Sequence, residues 1–217
     1  MRNVFIIILG VILWNPINIF GKTQVKEANL SVDWNLILVN KSYRLNDDYE
    51  VKTEKFTNEK SVDARIIKDL QAMFSDAKKA GINLKFISGY RSISYQKILF
   101  DRRVKEYMEK GLKKEAAQEK TELYLAPPGA SEHHTGLACD ILSEEWKKGL
   151  IEDFETTEAF KWLVKNCANY GFILRYPKGK EKITQINYEP WHYRYVGKLA
   201  AKEIMAKEIT LEEFLKK

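Results

Sequence analysis

The chain has 217 residues, 45% of them hydrophobic and 30% charged, with a formal charge of +6. That size and balance fit one soluble globular domain with a substantial core, and exclude a disordered chain or a polytopic membrane protein. The basic excess lies in short clusters with acids nearby (Lys113-Lys114, Lys147-Lys148, Lys178-Gly179-Lys180), which read as solvated surface or as weak attraction to an anionic wall or membrane; nucleic-acid binding wants a denser basic stripe and is not expected.

Met1-Arg2-Asn3 gives a short positive start, and residues 4–14 form an apolar run broken only by Gly10 and stopped by Asn15-Pro16. A helix needs about 20 residues to span a bilayer, so this run suits a signal-peptide core. Gly21 is small enough for a cleavage site, but Ile19 departs from the usual A-x-A pattern. Residues 1–21 are therefore expected to be a signal peptide or N-terminal anchor. Residues 22–60 are expected to be an extension packing on the core, and residues 61–217 the core domain.

In the extension, residues 30–39 are mixed apolar and Asn46-Asp47-Asp48 reads as a turn. Val62, Ile66, Leu70, Met73 and Ala77 recur at helical spacing, which predicts a helix over residues 61–80, capped by Ser61 and stopped by Gly81. Residues 83–88 alternate like a strand, and Gly89-Tyr90-Arg91-Ser92 is its exit loop. Helices follow over residues 93–110 and 113–123, separated by Gly111. Pro127-Pro128-Gly129 breaks the pattern before a short strand at residues 137–142. A helix to residue 170 ends at Gly171, residues 172–175 are a strand, residues 176–190 a polar loop, and residues 191–196 are extended. Thr210 and Glu213 have capping-box spacing for a helical tail. Helices and strands mix without regular βαβ alternation, so the class is α+β, a single domain whose small antiparallel sheet is flanked by helices.

Two cysteines in a chain expected to be exported invite a disulfide. Cys139 alternates with Leu137 and Ile141 toward the core, and Cys167 falls in a helix, so buried free thiols are the preferred reading. The same alternation turns Cys139 away from Asp140 and argues against it as a metal ligand.

The chain has only three histidines, His133, His134 and His192. Two imidazoles and an aspartate from separate segments fill three corners of a zinc tetrahedron and leave the fourth open, the mark of a catalytic rather than a structural site. Asp140 shares a strand face with Ala138 and Leu142, where a carboxylate is costly to bury without a cation; the plainer account is a strand-end aspartate capping a turn. Spacing does not choose between His133 and His134, although Gly136 permits a sharp bend before the strand. Glu189 stands three residues before His192, placed for proton transfer in hydrolysis. Residues three apart on a strand face opposite ways, but Pro190 puts Glu189 on the loop before it. The rival role for Glu189 is a salt bridge to Arg194.

Ser131-x-His133-x-x-Gly136-x-Ala138-x-Asp140 followed by Glu189-Pro190-Trp191-His192 resembles the VanY-type D-alanyl-D-alanine carboxypeptidases. These belong to the wider group of lysostaphin-type peptidases and the hedgehog zinc domain. Ser88-Gly89-Tyr90-Arg91-Ser92 with Gln96 matches the upstream motif of that family, and the similarity covers roughly residues 36–196. The resemblance implies one zinc ion held by His133, Asp140 and His192, with Glu189 as the base and His134 at a variable position. It further implies that Arg91 and Gln96 contact substrate and that Ser131 sits at the mouth of the site. A glycine is common in the family where this chain has Gln185, a departure expected to bear on substrate preference. Arg91 offers a fork for a terminal carboxylate or charge for an oxyanion. Tyr90, Trp191 and Tyr193 read as core or pocket wall. The implied protein is a monomeric zinc D,D-carboxypeptidase acting on peptidoglycan stem peptides, secreted or anchored at the wall. An L,D-carboxypeptidase acting on tetrapeptide stems is the near alternative, and a non-catalytic zinc-bearing wall-binding module the distant one.

Overall fold

The computed structural model describes residues 25–29 and 33–216, and the expected export segment lies outside the described residues. Two short pairs come first: parallel β1 (Lys26–Glu27) and β2 (Tyr43–Arg44), then antiparallel β3 (Thr53–Lys55) and β4 (Ser61–Asp63). Helix α1 (Ile67–Lys79) leads to β5 (Leu84–Ser88), and α2 (Ile93–Glu109) and α3 (Lys114–Glu122) follow as a pair. A 3-10 turn, Glu132–Thr135, enters β6 (Ala138–Ser143). Next come α4 (Glu158–Asn166), β7 (Phe172–Leu174), α5 (Glu181–Thr184), β8 (His192–Tyr195), α6 (Lys198–Lys207) and α7 (Leu211–Leu215).

The main sheet has the order β5-β6-β8-β7, antiparallel throughout, so the α+β reading holds. One apolar layer lies between this sheet and the helices: Leu70 and Met73 of α1 join Phe86, Cys139, Ile141 and Tyr193 from alternating strand positions. Ile37, Val39 and Leu45 are buried in the same layer. A second cluster, Ile173, Val196, Ala201, Ile204 and Leu211, seats α6 and α7. Phe100, Val104 and Ala117 bind α2 to α3.

One predicted boundary is wrong. Residues 61–63 are strand β4, not the first turn of α1. Val62 is fully buried whether reached from a strand or a helix, so helical spacing alone could not exclude pairing with β3. Asp63 then turns the chain: its Oδ1 accepts from the Arg65 N–H (2.8 Å), and its carbonyl accepts from the Ile66 N–H (3.1 Å). The helix predicted to residue 170 tightens into a 3-10 turn at Cys167–Tyr170, and the loop at 176–190 carries the one-turn α5. The capping box at Thr210 and Glu213 forms as predicted. Both cysteines are buried and free.

Candidate active site

Strand register builds the site. Asp140 stands directly opposite His192 across the β6–β8 ladder and pairs with Ser88 of β5 on its other side. Facing residues of an antiparallel pair project from the same face, so one carboxylate and one imidazole meet where the β5 exit loop begins. Ala138 stands opposite Arg194, which gives that large side chain its space beneath the site. His133 arrives from the 3-10 turn. That turn reaches β6 through Gly136 at φ +70°, where a Cβ would lie 2.7 Å from the Asp63 backbone nitrogen; only glycine fits there.

Both candidate histidines are buried, and their partners separate them. His133 Nδ1 donates to the Gly89 carbonyl at 2.7 Å, which leaves Nε2 facing Asp140 Oδ2 at 3.3 Å. His134 Nδ1 donates to the Arg91 carbonyl at 2.7 Å, and its Nε2 accepts the Gly129 N–H at 3.2 Å. Both nitrogens of His134 are committed to backbone, so His134 is a strut.

One donor atom from each of His133, Asp140 and His192 lies within 4.8 Å of the others. His192 Nδ1 is 3.1 Å from Asp140 Oδ1. Bonds of about 2.05 Å in a tetrahedral zinc site place ligand atoms about 3.3 Å apart, and each imidazole nitrogen already stands at about that distance from an Asp140 oxygen, His133 Nε2 from Oδ2 and His192 Nδ1 from Oδ1. The electrostatics also ask for a cation. Burial pushes the Asp140 carboxyl up, and it stays well below the usual carboxylate range only while positive charge sits on the imidazoles beside it. Burial, aided by Arg91, lowers His133 to about 4, so its ring is neutral and its lone pair available. Burial opposes a charged His192, yet the Asp140 and Glu132 carboxylates on its two edges raise it to about 9: without a metal, a proton takes the cation's place.

Glu189 Oε2 lies 3.6 Å from His192 Nδ1. The predicted conflict of facing resolves as a turn, since the His192 N–H donates to the Glu189 carbonyl at 3.2 Å. The rival salt bridge is absent; Arg194 Nη1 bonds Glu132 Oε1 instead, at 2.8 Å. Burial pushes the Glu189 carboxyl up to about 8.

A cleft of about 1100 Å³ is lined by Arg91, Gln96, Ser131, His133, Asp140, Glu189 and His192. Arg91 Nη2 is 3.6 Å from Asp140 Oδ2, its Nη1 donates to Gln96 Oε1 at 3.0 Å, and its buried Nε has no partner. Gln96 is fully buried, and its Nε2 donates to the Ala126 carbonyl at 2.7 Å, so its side chain braces Arg91. Trp191 and Tyr90 line the cleft, while Tyr193 belongs to the core.

The VanY family of D-alanyl-D-alanine carboxypeptidases matches residues 59–198. The chain belongs to this family. Among VanY relatives, a D-alanyl-D-alanine carboxypeptidase of Enterococcus faecalis (strain ATCC 700802 / V583) is 39% identical over 190 residues, covering 88% of this chain and 69% of that one. A glutamate-to-alanine variant of a vancomycin-resistance D,D-pentapeptidase VanY, solved with Zn(II), superposes with a TM-score of 0.76 at 39% identity, over 84% of this chain and 99% of that one. The LdcB LD-carboxypeptidase superposes with a TM-score of 0.73 at 38% identity, over 90% and 96%.

Within this VanY fold, sequence reasoning missed Glu132 and Tyr176. Tyr176 lines the cleft with its ring 4.7 Å from that of His192. Glu132, beside His133 in sequence, is fully buried behind His192 and bonded to Arg175 and Arg194. A glutamate amid buried motif residues was the available signal. Gln185 ends α5 at φ +64°, a left-handed position that favours glycine, and its side chain donates to Ser42 Oγ at 2.9 Å.

Proposed function

We propose that this protein is an exported zinc D,D-carboxypeptidase that removes the last D-alanine from peptidoglycan stem peptides ending in D-Ala-D-Ala. The observation that carries this reading is the meeting of His133, Asp140 and His192 at one point beside Glu189, on the wall of a cleft that also presents Arg91.

His133 Nε2, a carboxylate oxygen of Asp140 and His192 Nδ1 are the proposed ligands. Zinc, when bound, supplies a Lewis acid that polarises the scissile carbonyl and acidifies water. Glu189 accepts a proton from the attacking water as the water oxygen bonds to the carbonyl carbon. Glu189 then returns that proton to the amide nitrogen as the C–N bond breaks, so one water is consumed and D-alanine leaves as a free amino acid. Burial holds the Glu189 carboxyl up to about 8, and a bound divalent cation nearby would lower it, so that one carboxyl could serve as both base and acid near pH 7. Arg91, braced by Gln96 and with an unused Nε–H, is the group suited to the terminal carboxylate of the substrate. Ser131 contributes a hydroxyl to the cleft wall.

Likeness to the LdcB LD-carboxypeptidase supports a second reading, an L,D-carboxypeptidase that shortens tetrapeptide stems. Glu189 in working position speaks against a non-catalytic zinc-bearing module. Residues 1–21 support export, either secreted or held at the membrane by that segment, and the enzyme is read as a monomer at the wall. No helix among the described residues is long and apolar enough to cross a membrane. Incubating purified protein with penta- and tetrapeptide stems and weighing the products decides the specificity: loss of one alanine from the pentapeptide supports the first reading, consumption of the tetrapeptide alone the second, and no hydrolysis of either rejects both.

A further inference from the structure

Behind His192 lies a buried cluster of charge that the chemistry above does not use. Arg175 Nε and Arg194 Nη1 both donate to one oxygen of Glu132, Oε1, at 2.7 and 2.8 Å. The other end of Arg175 grips Glu212 of α7 through Nη1 and Nη2, at 2.8 and 2.7 Å. Arg194 Nη2 donates to the carbonyls of Asn35 (3.2 Å) and Ile37 (2.8 Å). Arg175 and Arg194 are the two largest fully buried side chains among the described residues. Burying two guanidiniums is expensive, and replacing such clusters by apolar residues often leaves stability unchanged or improved. Stability alone is therefore a weak reason for the cluster.

Its geometry supplies another. With Oε1 holding both arginines, the carboxylate cannot turn, and Oε2 is aimed at His192 Nε2, 3.5 Å away. Those two atoms, Glu132 Oε2 and His192 Nε2, are both buried and neither has a hydrogen-bond partner, so each faces the other as its nearest charged group. On the opposite edge of the same ring, Nδ1 faces Asp140 and Glu189. A neutral imidazole carries one N–H and one lone pair, and a carboxylate opposite Nε2 selects the form with hydrogen on Nε2.

We propose that Glu132 is a positioning residue that fixes the tautomer and tilt of His192, presenting the Nδ1 lone pair to the metal, with Arg175 and Arg194 as the clamp that aims it. The proposal rests on the zinc site proposed above. It also assigns the ligating nitrogens asymmetrically: Nε2 for His133, whose Nδ1 is held by Gly89, and Nδ1 for His192.

The test is zinc affinity, measured by competition with a chromophoric chelator for wild type, Glu132→Gln and Glu212→Gln. In Glu132→Gln the amide oxygen can still accept from both arginines, which turns the amide N–H toward His192. A donor there favours the lone pair on Nε2 and the hydrogen on Nδ1, in the path of the metal. Loss of a hydrogen-bonded carboxylate behind a ligand typically weakens metal binding by about 10–100-fold, and that is the drop expected for Glu132→Gln. Glu212→Gln removes a charge from the same cluster without touching His192, and its affinity is expected to fall by clearly less than about tenfold. An unchanged affinity in Glu132→Gln overturns the proposal, as does an equal fall in both variants. If Glu132→Gln does not fold, ¹⁵N NMR of zinc-loaded wild type decides: hydrogen on His192 Nε2 with zinc on Nδ1 is expected, and zinc on Nε2 overturns it. A wild-type protein that takes up no zinc instead rejects the proposed zinc site, a failure distinct from either result.

Discussion

Arg91 and His134 are laced together through backbone. The Arg91 carbonyl accepts from His134 Nδ1 at 2.7 Å, and the Arg91 N–H donates to the carbonyl of His133 at 3.1 Å. The loop that presents the guanidinium and the turn that presents the first imidazole thus move as one piece. His134→Ala should keep zinc, because neither of its nitrogens faces the metal. It should lower stability by about 1–3 kcal/mol, since Gly129 N–H and the Arg91 carbonyl lose their partner, and reduce turnover as Arg91 loosens. His133→Ala should lose zinc. Metal content and thermal unfolding of the two variants check both statements; the reverse metal pattern reassigns the ligand.

Glu189→Ala should retain zinc and lose hydrolysis, because Glu189 lies beside the ligand atoms without being needed to complete them. A positioned acid–base group typically contributes about 10²–10⁴-fold to rate. Release of alanine from a pentapeptide stem, measured alongside bound zinc, is the assay. Persistent turnover removes Glu189 as the base.

Arg91→Ala should slow cleavage of peptides with a free C-terminus and narrow the gap between these and C-terminally amidated peptides. Gln96→Leu should produce a weaker version of the same change, because Gln96 acts through the 3.0 Å bond that orients Arg91. The ratio of kcat/KM for free and amidated peptides reads this out. A ratio that stays at the wild-type value makes Arg91 structural.

Gly136→Ala should destabilise the fold by more than about 2 kcal/mol, combining a left-handed backbone with a close contact at the Asp63 nitrogen. The midpoint of thermal unfolding measures it. A shift below the scatter between preparations means that the turn relaxes more readily than its packing indicates.

Cys139 and Cys167 should resist alkylation in the native protein at pH 8, and both should react once it is unfolded. Burial pushes Cys167 up to about 12 and Cys139 well above the ordinary thiol range, which suppresses the reactive thiolate. Counting labelled thiols by mass tests this, and a chain that labels at neither position after unfolding contains a disulfide instead.

The α+β class and most elements were legible because local signals agreed with the final packing. Leu70, Met73 and Ala77 repeat at helical spacing, Leu137, Cys139 and Ile141 alternate, and Thr210 and Glu213 carry a cap within four residues. The first turn of α1 was misread because Val62 satisfies two periodicities, and its partner in β3 is too distant for helical spacing to register. Among the candidate site residues, residue type nominated His133 or His134, Asp140, Glu189 and His192, because few side chains bind a divalent cation or move a proton, and the family resemblance chose His133.

Other features required the chain to close on itself. No spacing rule places Asp140 opposite His192, commits both nitrogens of His134 to backbone, or turns Glu132 away from solvent toward two arginines and an imidazole. Most of these contacts join groups 43 to 62 residues apart, and their distances and directions are set only when strands pair and helices dock. Chemistry can be read along the chain, whereas the orientation that makes a ligand, a strut or a clamp out of similar residues is a property of the folded molecule.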